Sequence, residues 1–550
     1  MSIRIALRAD ASPVIGTGHV MRSLVLADAL RVRGAETVLL SRALPERLRV
    51  RAEKGGHLVV DLPSGSVRPA HVSLLGHDER ADAALCIAAL KEVGGVERLI
   101  VDHYGLGALF ERTLRPHVSW IAVIDDLADR AHDCEVLLDQ SLYPEAEGRY
   151  TRLVPSTCTK LIGPRYALLR EEFEVARRWR RQRDGPVRDI LVFFGGGDTC
   201  GMTLRALEAI KSLAAGDVHV TVVATGEDPH LEALRRACDG LSGTTLRVDV
   251  ENMAEVMSHA DLSIGAGGTA TWERCYLGLP NVFATIAVNQ FGVAREVAIA
   301  GAGIDLGPRP QPADIGAAIR SLLNNPARVR EMSRAAAAMM AGARAGRRHE
   351  LAMRVMSGGD RCLLRPVGPA DRELLHGWRN SDRVRFASLS DQSISVSEHG
   401  EWFLEMLKSD TRLYYVFEMG GQPVGVVHLD QETGSAGSAL WGFYVGVDSA
   451  PSGSGMTMCR LGLYEAFVVE GLRCVRAEVL AANERSLHVH ERLGFKRTAM
   501  RTLEGVNGSR EAVLLALDRE AWKPSLSAQP QALTRKMGHN HEGWGQDAGI

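Results

Sequence analysis

In the octapeptide GTGHVMRS, residues 16–23, a histidine stands where a glycine-rich turn passes into a helix. The first N–H groups of a helix have no partner within it and carry partial positive charge, so such a turn suits a phosphate. His19 adds a group that gains or loses a proton near neutral pH. The octapeptide alone leaves two readings open: a proton-transfer residue, or a helix N-terminal side chain packed under a loop. Gly16 and Gly18 are the glycines that bring backbone close to a ligand in the first reading.

The segment GAGGTATWERCYLGLPNVF raises the same chemistry. Gly265, Gly267 and Gly268 keep side chains clear, so that N–H groups of Gly268 and Thr269 can meet a pyrophosphate. Glu273, one turn on, offers a carboxylate to ribose hydroxyls. The plain alternative is a tight strand-to-helix turn followed by an exposed glutamate. Gly195 and Gly196 of DILVFFGGGDT form a further loop of this kind. Toward the carboxyl end, GVDSAPSGSGMTMC places Gly453, Gly455 and Met456 at a helix start, another pyrophosphate geometry. It is followed by VLAANERSLHVHERLGF, with Asn483 and Ser486.

These loops need strands behind them and helices ahead. IRIAL alternates as a strand, and Met21, Leu24, Val25, Ala29 and Val32 recur at helical spacing until Gly34. ETVLLS, ERLIVDHY and SWIAVIDD are further strands, the last two ending at Asp102 and at Asp125 and Asp126. Any of these three aspartates is placed to orient His19 or a ligand. The pattern restarts at DILVFFGGGDT and continues through VHVTVVATG and DLSIGAGG. Strands alternating with helices predict parallel sheets, with ligands beyond the strands' carboxyl ends. Two such lobes enclose a cleft as the natural site. After ARAGRRHELAMRVMSGGD a mixed α+β pattern begins, in which Gly420 and Gly421 separate two apolar runs as a hairpin turn.

The resulting division is a first lobe over 1–165, a second over 166–350, a linker at 351–360, an α+β domain over 361–520 and a disordered tail at 521–550. With 65 Lys+Arg against 67 Asp+Glu, nothing in the bulk charge draws the chain to nucleic acid. Nine scattered cysteines without C-x-x-C pairs argue against a disulfide framework or zinc, and Cys275 reads as buried packing. No leader and no long apolar run is evident, so the expected setting is cytoplasmic, without a membrane span.

The motifs GTGHVMRS, VDHYGL, IDD, GPRYALLREEF, GAGGTATWERCYLGLPN and AVNQ, in this order, cover about residues 1–350. Together they resemble the pseudaminic-acid-pathway hydrolases that remove UDP from UDP-2,4-diacetamido-2,4,6-trideoxy-β-L-altropyranose. The resemblance implies two Rossmann-like lobes in a GT-B arrangement, and direct attack of water at the anomeric carbon with inversion and without a metal. It places the family's essential histidine at His19, a first-lobe tyrosine at Tyr104 and a cleft asparagine at Asn289. Apart from it, Tyr104 reads as a lobe-interface residue and Asn289 as a helix cap.

The glycine loop with NERS and LGF resembles the GNAT acetyltransferases over about residues 361–518, and WRNSDRVR adds a likeness to the sugar-nucleotide N-acetyltransferases of the same pathway. This resemblance implies acetyl-CoA as cosubstrate, bound at Gly453, Gly455, Met456, Asn483 and Ser486. Two positions depart from it. Ser452 stands where a basic residue is usual, and His490 where a tyrosine commonly protonates the leaving thiolate; His490 either takes over that role or belongs to a helix face. His428 and Glu478 are placed to border the site as bases or to pack.

The expectation is a bifunctional enzyme acting on UDP-sugar and acetyl-CoA, acetylating an amino sugar nucleotide and then removing UDP. The alternatives are a glycosyltransferase fused to a protein acetyltransferase, and a non-catalytic UDP-sugar-binding regulator. Oligomeric state is not legible.

Overall fold

The computed structural model describes residues 2–11, 16–63, 78–179, 181–196, 198–213, 218–343, 349–358, 362–432, 437–503 and 509–522. Residues 523–550 of the expected tail lie outside them. The chain divides into two units, Met1–Leu351 and Ala352–Ile550.

The first unit holds two parallel sheets. One contains β1 (Arg4–Ala9), β2 (Glu36–Ser41), β3 (Leu58–Asp61), β4 (Arg98–Asp102), β5 (Trp120–Ile124), β6 (Val136–Asp139) and β7 (Thr159–Ile162), in the order β3-β2-β1-β4-β5-β6-β7. The other contains β8 (Asp189–Phe193), β9 (His219–Ala224), β10 (Thr244–Val248), β11 (Leu262–Gly265), β12 (Asn281–Thr285) and β13 (Gly303–Pro308), in the order β10-β9-β8-β11-β12-β13. Strands β4 and β5 are buried at every position, which is why they read as unbroken apolar runs.

Both sheets reverse their winding direction once, between β1 and β4 and between β8 and β11. At such a reversal the connections leave in opposite directions and open a crevice at the strands' carboxyl ends. The residues leaving β1 and β4 lead to His19 and Tyr104. Those leaving β8 and β11 are the two glycine loops of the second lobe. The topology therefore gathers the sequence motifs at two crevices.

The second unit is one mixed sheet of β14 (Cys362–Pro366), β15 (Arg412–Met419), β16 (Gln422–Gln431), β17 (Ser438–Val445), β18 (Cys474–Leu480), β19 (Lys496–Leu503) and β20 (Arg510–Asp518), ordered β14-β15-β16-β17-β18-β20-β19. Gly420 and Gly421, with φ of 57° and 75°, form the predicted two-residue turn between β15 and β16. Strands β17 and β18 are the parallel pair, and their register runs only from Ser438 with Cys474 to Trp441 with Ala477. Beyond it the two strands continue without pairing and open a gap. One face of the sheet packs on the helix Ser454–Tyr464 through Met458, Cys459, Val427 and Leu429. The other packs Val416 and Val426 against Leu375, Trp378 and Phe403.

One boundary differs from expectation. Much of the stretch 351–360, read as a linker, belongs to the helix Glu350–Ser357, in which Leu351, Ala352, Val355 and Met356 are buried. Its apolar side chains favour a packed helix over a free connection, despite the glycines that follow.

Candidate functional site

His19 lies in the first turn of the helix Gly18–Val32, with its ring almost wholly enclosed. Its Nδ1 is 2.5 Å from Asp102 Oδ1. Arg22, one turn along the helix, grips the same carboxylate through Nε (2.7 Å) and Nη2 (2.6 Å) and reaches Asp126 Oδ2 through Nη1 (2.9 Å). Burial alone would raise the Asp102 pKa, but the charges of Arg22 and then His19 outweigh it and hold the carboxyl at about 2. An ionised oxygen this close to Nδ1 requires the proton there. The ring therefore donates to Asp102 through Nδ1, which leaves Nε2 as the nitrogen for proton transfer.

Tyr104, two residues past the end of β4, packs edge-on against His19 with ring centroids 4.3 Å apart. Its hydroxyl accepts a hydrogen bond from Asn289 Nδ2 at 3.0 Å. Burial, followed by the charge of Asp126, raises the Tyr104 pKa, so it remains a neutral phenol. His19, Tyr104 and Asn289, separate in sequence, form one cluster that spans both lobes of the first unit. Among the three aspartates left open by the sequence, Asp102 contacts His19. Asp126 stands beyond Arg22, and Asp125 accepts from Tyr150 Oη and pairs with Arg130.

The second-lobe loops reach the same cleft. A Cβ on Gly18 would lie 3.3 Å from Thr269 Oγ1, and one on Gly196 would lie 2.7 Å from Thr17 Oγ1. Gly16 and Gly195 both have positive φ and open space beside them. Gly265 has a different reason to be glycine: a Cβ there would collide with the Phe193 carbonyl and with Arg274. At Gly267 a Cβ would lie 2.8 Å from the Gln290 carbonyl, whereas Gly268 faces freer space. A hollow between the lobes is lined by Gly18, Met21 and Arg22 on one side and Thr269, Trp272 and Glu273 on the other.

Glu273 is not the free glutamate of the plain reading. Arg170 donates to its Oε1 from Nη2 (3.1 Å) and Nε (3.2 Å), which fixes the carboxylate at the hollow's edge. Cys275 is buried, and burial pushes its thiol up to about 12, in keeping with packing. Arg22 and Arg170 were missed as partners in the sequence. Arg22 was legible in one respect, since three residues from His19 puts it on the same helix face.

In the second unit, Gly453 has a φ of 89° and caps the helix Ser454–Tyr464, with Gly455 and Met456 in the first turn. Asn483 caps the helix Glu484–Leu493, accepting from the Ser486 N–H at 3.1 Å. Glu478 is ion-paired with Arg501 at 2.8 Å. The acid role considered for His490 does not fit its surroundings. Its Nδ1 lies 2.8 Å from the Ser486 carbonyl, its Nε2 accepts from Trp441 Nε1 at 3.1 Å, and Phe443 and Phe495 pack on the ring. Burial lowers its pKa, so the ring is neutral with both nitrogens occupied. It is a packing residue of the helix face, and its one ring proton is held by the Ser486 carbonyl.

Comparison with known proteins agrees with these two architectures. Residues 190–346 match the glycosyltransferase family 28 C-terminal domain, and residues 361–496 the acetyltransferase (GNAT) domain. The chain is similar to the UDP-2,4-diacetamido-2,4,6-trideoxy-beta-L-altropyranose hydrolase of Campylobacter jejuni, 24% identical over 47% of this chain and 83% of that protein. It is 31% identical to the spore coat polysaccharide biosynthesis protein SpsG of Bacillus subtilis over 26% of this chain and 43% of that one. A solved structure of Acinetobacter baumannii MurG covers 61% of this chain and 95% of its own at 17% identity, with a TM-score of 0.43. No helix among the described residues is long and apolar enough to cross a membrane. The chain thus joins a unit of two parallel-sheet lobes, similar to that hydrolase and matching the family 28 C-terminal domain over residues 190–346, to a unit that matches the acetyltransferase (GNAT) domain over residues 361–496.

Proposed function

We propose that the first unit hydrolyses a UDP-linked 2,4-diacetamido-trideoxy-L-altrose, and that the second acetylates the 4-amino group of its precursor using acetyl-CoA. The observation that carries the hydrolytic reading is the His19–Asp102–Arg22 arrangement at the first sheet's reversal point, whose Arg22 lines the hollow together with Thr269 and Glu273. A water placed at Nε2 gives its proton to the imidazole as its oxygen attacks C1. The bond from C1 to the diphosphate oxygen breaks, and UDP leaves from the opposite face. The imidazolium so formed is stabilised by Asp102. Tyr104 and Asn289 bond to the sugar as neutral groups. N–H groups near Gly268 and Thr269, with the Gly16, Gly18, Gly195 and Gly196 backbone, hold the diphosphate, and Glu273 holds ribose hydroxyls through the oxygen that Arg170 leaves unused.

In the second unit, Gly453, Gly455 and Met456 present backbone N–H groups to the CoA pyrophosphate, and Asn483 and Ser486 border the same ligand. The unpaired edges of β17 and β18 suit its extended amide arm. Fusion raises the local concentration of acetylated product around the next catalyst. The test is a mass spectrum of products from the 4-amino UDP-sugar, with and without acetyl-CoA and without any acceptor sugar. Acetylated free sugar appearing only with acetyl-CoA supports both halves; an intact UDP linkage in the acetylated product refutes the hydrolase.

A further inference from the structure

We infer that His428, backed by Asp430, takes the proton from the acceptor amine during acetyl transfer. This rests on the acetyltransferase reading of the second unit and adds a base that the sequence left unassigned.

Side chains alternate along β16. Val427 and Leu429 face the helix Ser454–Tyr464, so His428 and Asp430 face the other side, where Val426 packs with Trp378 and Phe403. On that side the His428 ring stacks on Tyr414 of β15, with centroids 4.6 Å apart and planes within 9°. Its Nδ1 lies 3.4 Å from Asp430 Oδ2, and the Tyr414 hydroxyl reaches the same carboxylate at 3.5 Å. The stack sets the plane of the ring, with the carboxylate beside it.

That orientation puts Nε2 at the gap in the sheet. Pairing between β17 and β18 ends at Trp441 with Ala477, so Gly442 is the first β17 residue whose β18 side is open. A Cβ on Gly442 would lie 2.5 Å from His428 Nε2. The imidazole nitrogen therefore sits directly over the backbone where the strands part, and glycine is the residue that leaves it room. An extended thioester arm lying in the gap brings its acyl carbon to this place.

A second feature marks the same face. Among the described residues of the second unit, the buried side-chain nitrogen and oxygen atoms without a hydrogen bond are His428 Nδ1, Asp430 Oδ1, Arg379 Nη1 and Arg385 Nε. Unsatisfied buried polar atoms are rare in folded proteins and collect where a ligand completes them. The other candidate bases are engaged elsewhere: His490 by Trp441 and Ser486, and Glu478 by Arg501.

In the step itself the neutral amine nitrogen attacks the thioester carbon. The N–C bond forms, the C–S bond breaks and its electron pair leaves on the CoA sulfur. The amine's extra proton passes to His428 Nε2 and on to solvent, and the thiolate takes a proton from water. Asp430 balances the transient imidazolium.

The experiment uses the full chain with acetyl-CoA and the 4-amino UDP-sugar. His428→Phe keeps the stack on Tyr414 and deletes the base. The expected result is a kcat lower by roughly 10²–10⁴-fold with the KM for acetyl-CoA within about three-fold of wild type. His428→Gly, equally slow, should regain rate on addition of imidazole. Overturning results are a His428→Phe kcat within about three-fold of wild type, absence of imidazole rescue, or a comparable loss confined to Glu478→Gln. If the wild type leaves the amino-sugar nucleotide unacetylated, the substrate reading fails by itself. His428 is then judged by the same kcat and KM comparison on small primary amines that the wild type does acetylate.

Discussion

Replacing Asp102 by Asn removes one charge at the centre of the first site while keeping its shape. In the native protein the carboxylate holds the Nδ1 proton of His19 at 2.5 Å and accepts two hydrogen bonds from Arg22. A hydrogen bond to a charged group contributes about 1.5–3 kcal/mol, equivalent to roughly 10–150-fold in rate if realised only as the imidazolium forms. The amide adds a second loss, because its N–H can donate to Nδ1 and move the imidazole proton to Nε2, where the base is needed. Loss of the productive tautomer extends the effect to about 10⁴-fold. The expected kcat for UDP release is therefore lower by roughly 10²–10⁴-fold, with UDP affinity changed by less than about three-fold because Asp102 is fully buried and does not line the hollow. The assay is acceptor-free UDP release, paired with calorimetric UDP titration and a melting curve. A folded Asp102→Asn protein that turns over within about three-fold of wild type would refute the dyad.

Asp139 gives a pH-dependent expectation. Burial, reinforced by the charge of Asp126, raises its pKa from 3.8 to about 6, so the folded protein holds this proton more tightly than the unfolded chain. Between about pH 4 and 6 the folded state binds more protons, and stability falls as pH rises through that window. Urea unfolding at pH 4 and 6 should show this slope reduced in Asp139→Asn; an unchanged slope contradicts it. Gly265→Ala forces a methyl group into the Phe193 carbonyl and Arg274, and should lower stability by about 1–3 kcal/mol in denaturant melts and weaken UDP binding. A melt equal to wild type would show that the β8 and β11 ends yield more easily than their packing suggests. Trp441→Phe deletes the N–H that His490 accepts, and should lower stability by about 1 kcal/mol while acetyl-CoA affinity holds. Loss of acetyl-CoA binding in a folded variant would return His490 to the site.

Much of the first unit was readable because parallel strands buried on both faces are continuous apolar runs, and glycine loops mark their exits. The strands ending at Asp102 and at Ile124 were recognised in this way. Less visible were polar or short strands such as β10 (TTLRV) and β7 (TKLI), which sit at the sheet edges and lack that signature. Contacts between distant segments lay beyond the sequence. Nothing local distinguished Asp102 from Asp125 and Asp126 as the partner of His19, because the choice depends on how β4 and the helix Gly18–Val32 meet. Arg170 reaches Glu273 across 103 positions. His490 was likewise undecided from its own segment. Its position in the motif left an acid and a helix face both open, and the choice depended on Trp441 and Phe443, which come from elsewhere in the chain and enclose it with the nearby Phe495.

The hydrolytic account is tested most directly by a single turnover of the diacetamido UDP-sugar in ¹⁸O-labelled water, with wild-type protein and with His19→Asn. Attack at C1 directed by His19 Nε2 places the heavy oxygen on the anomeric carbon of the sugar, leaves UDP unlabelled, and all but vanishes in His19→Asn. Label on the β-phosphate of UDP, or full turnover in the folded His19→Asn protein, would contradict it.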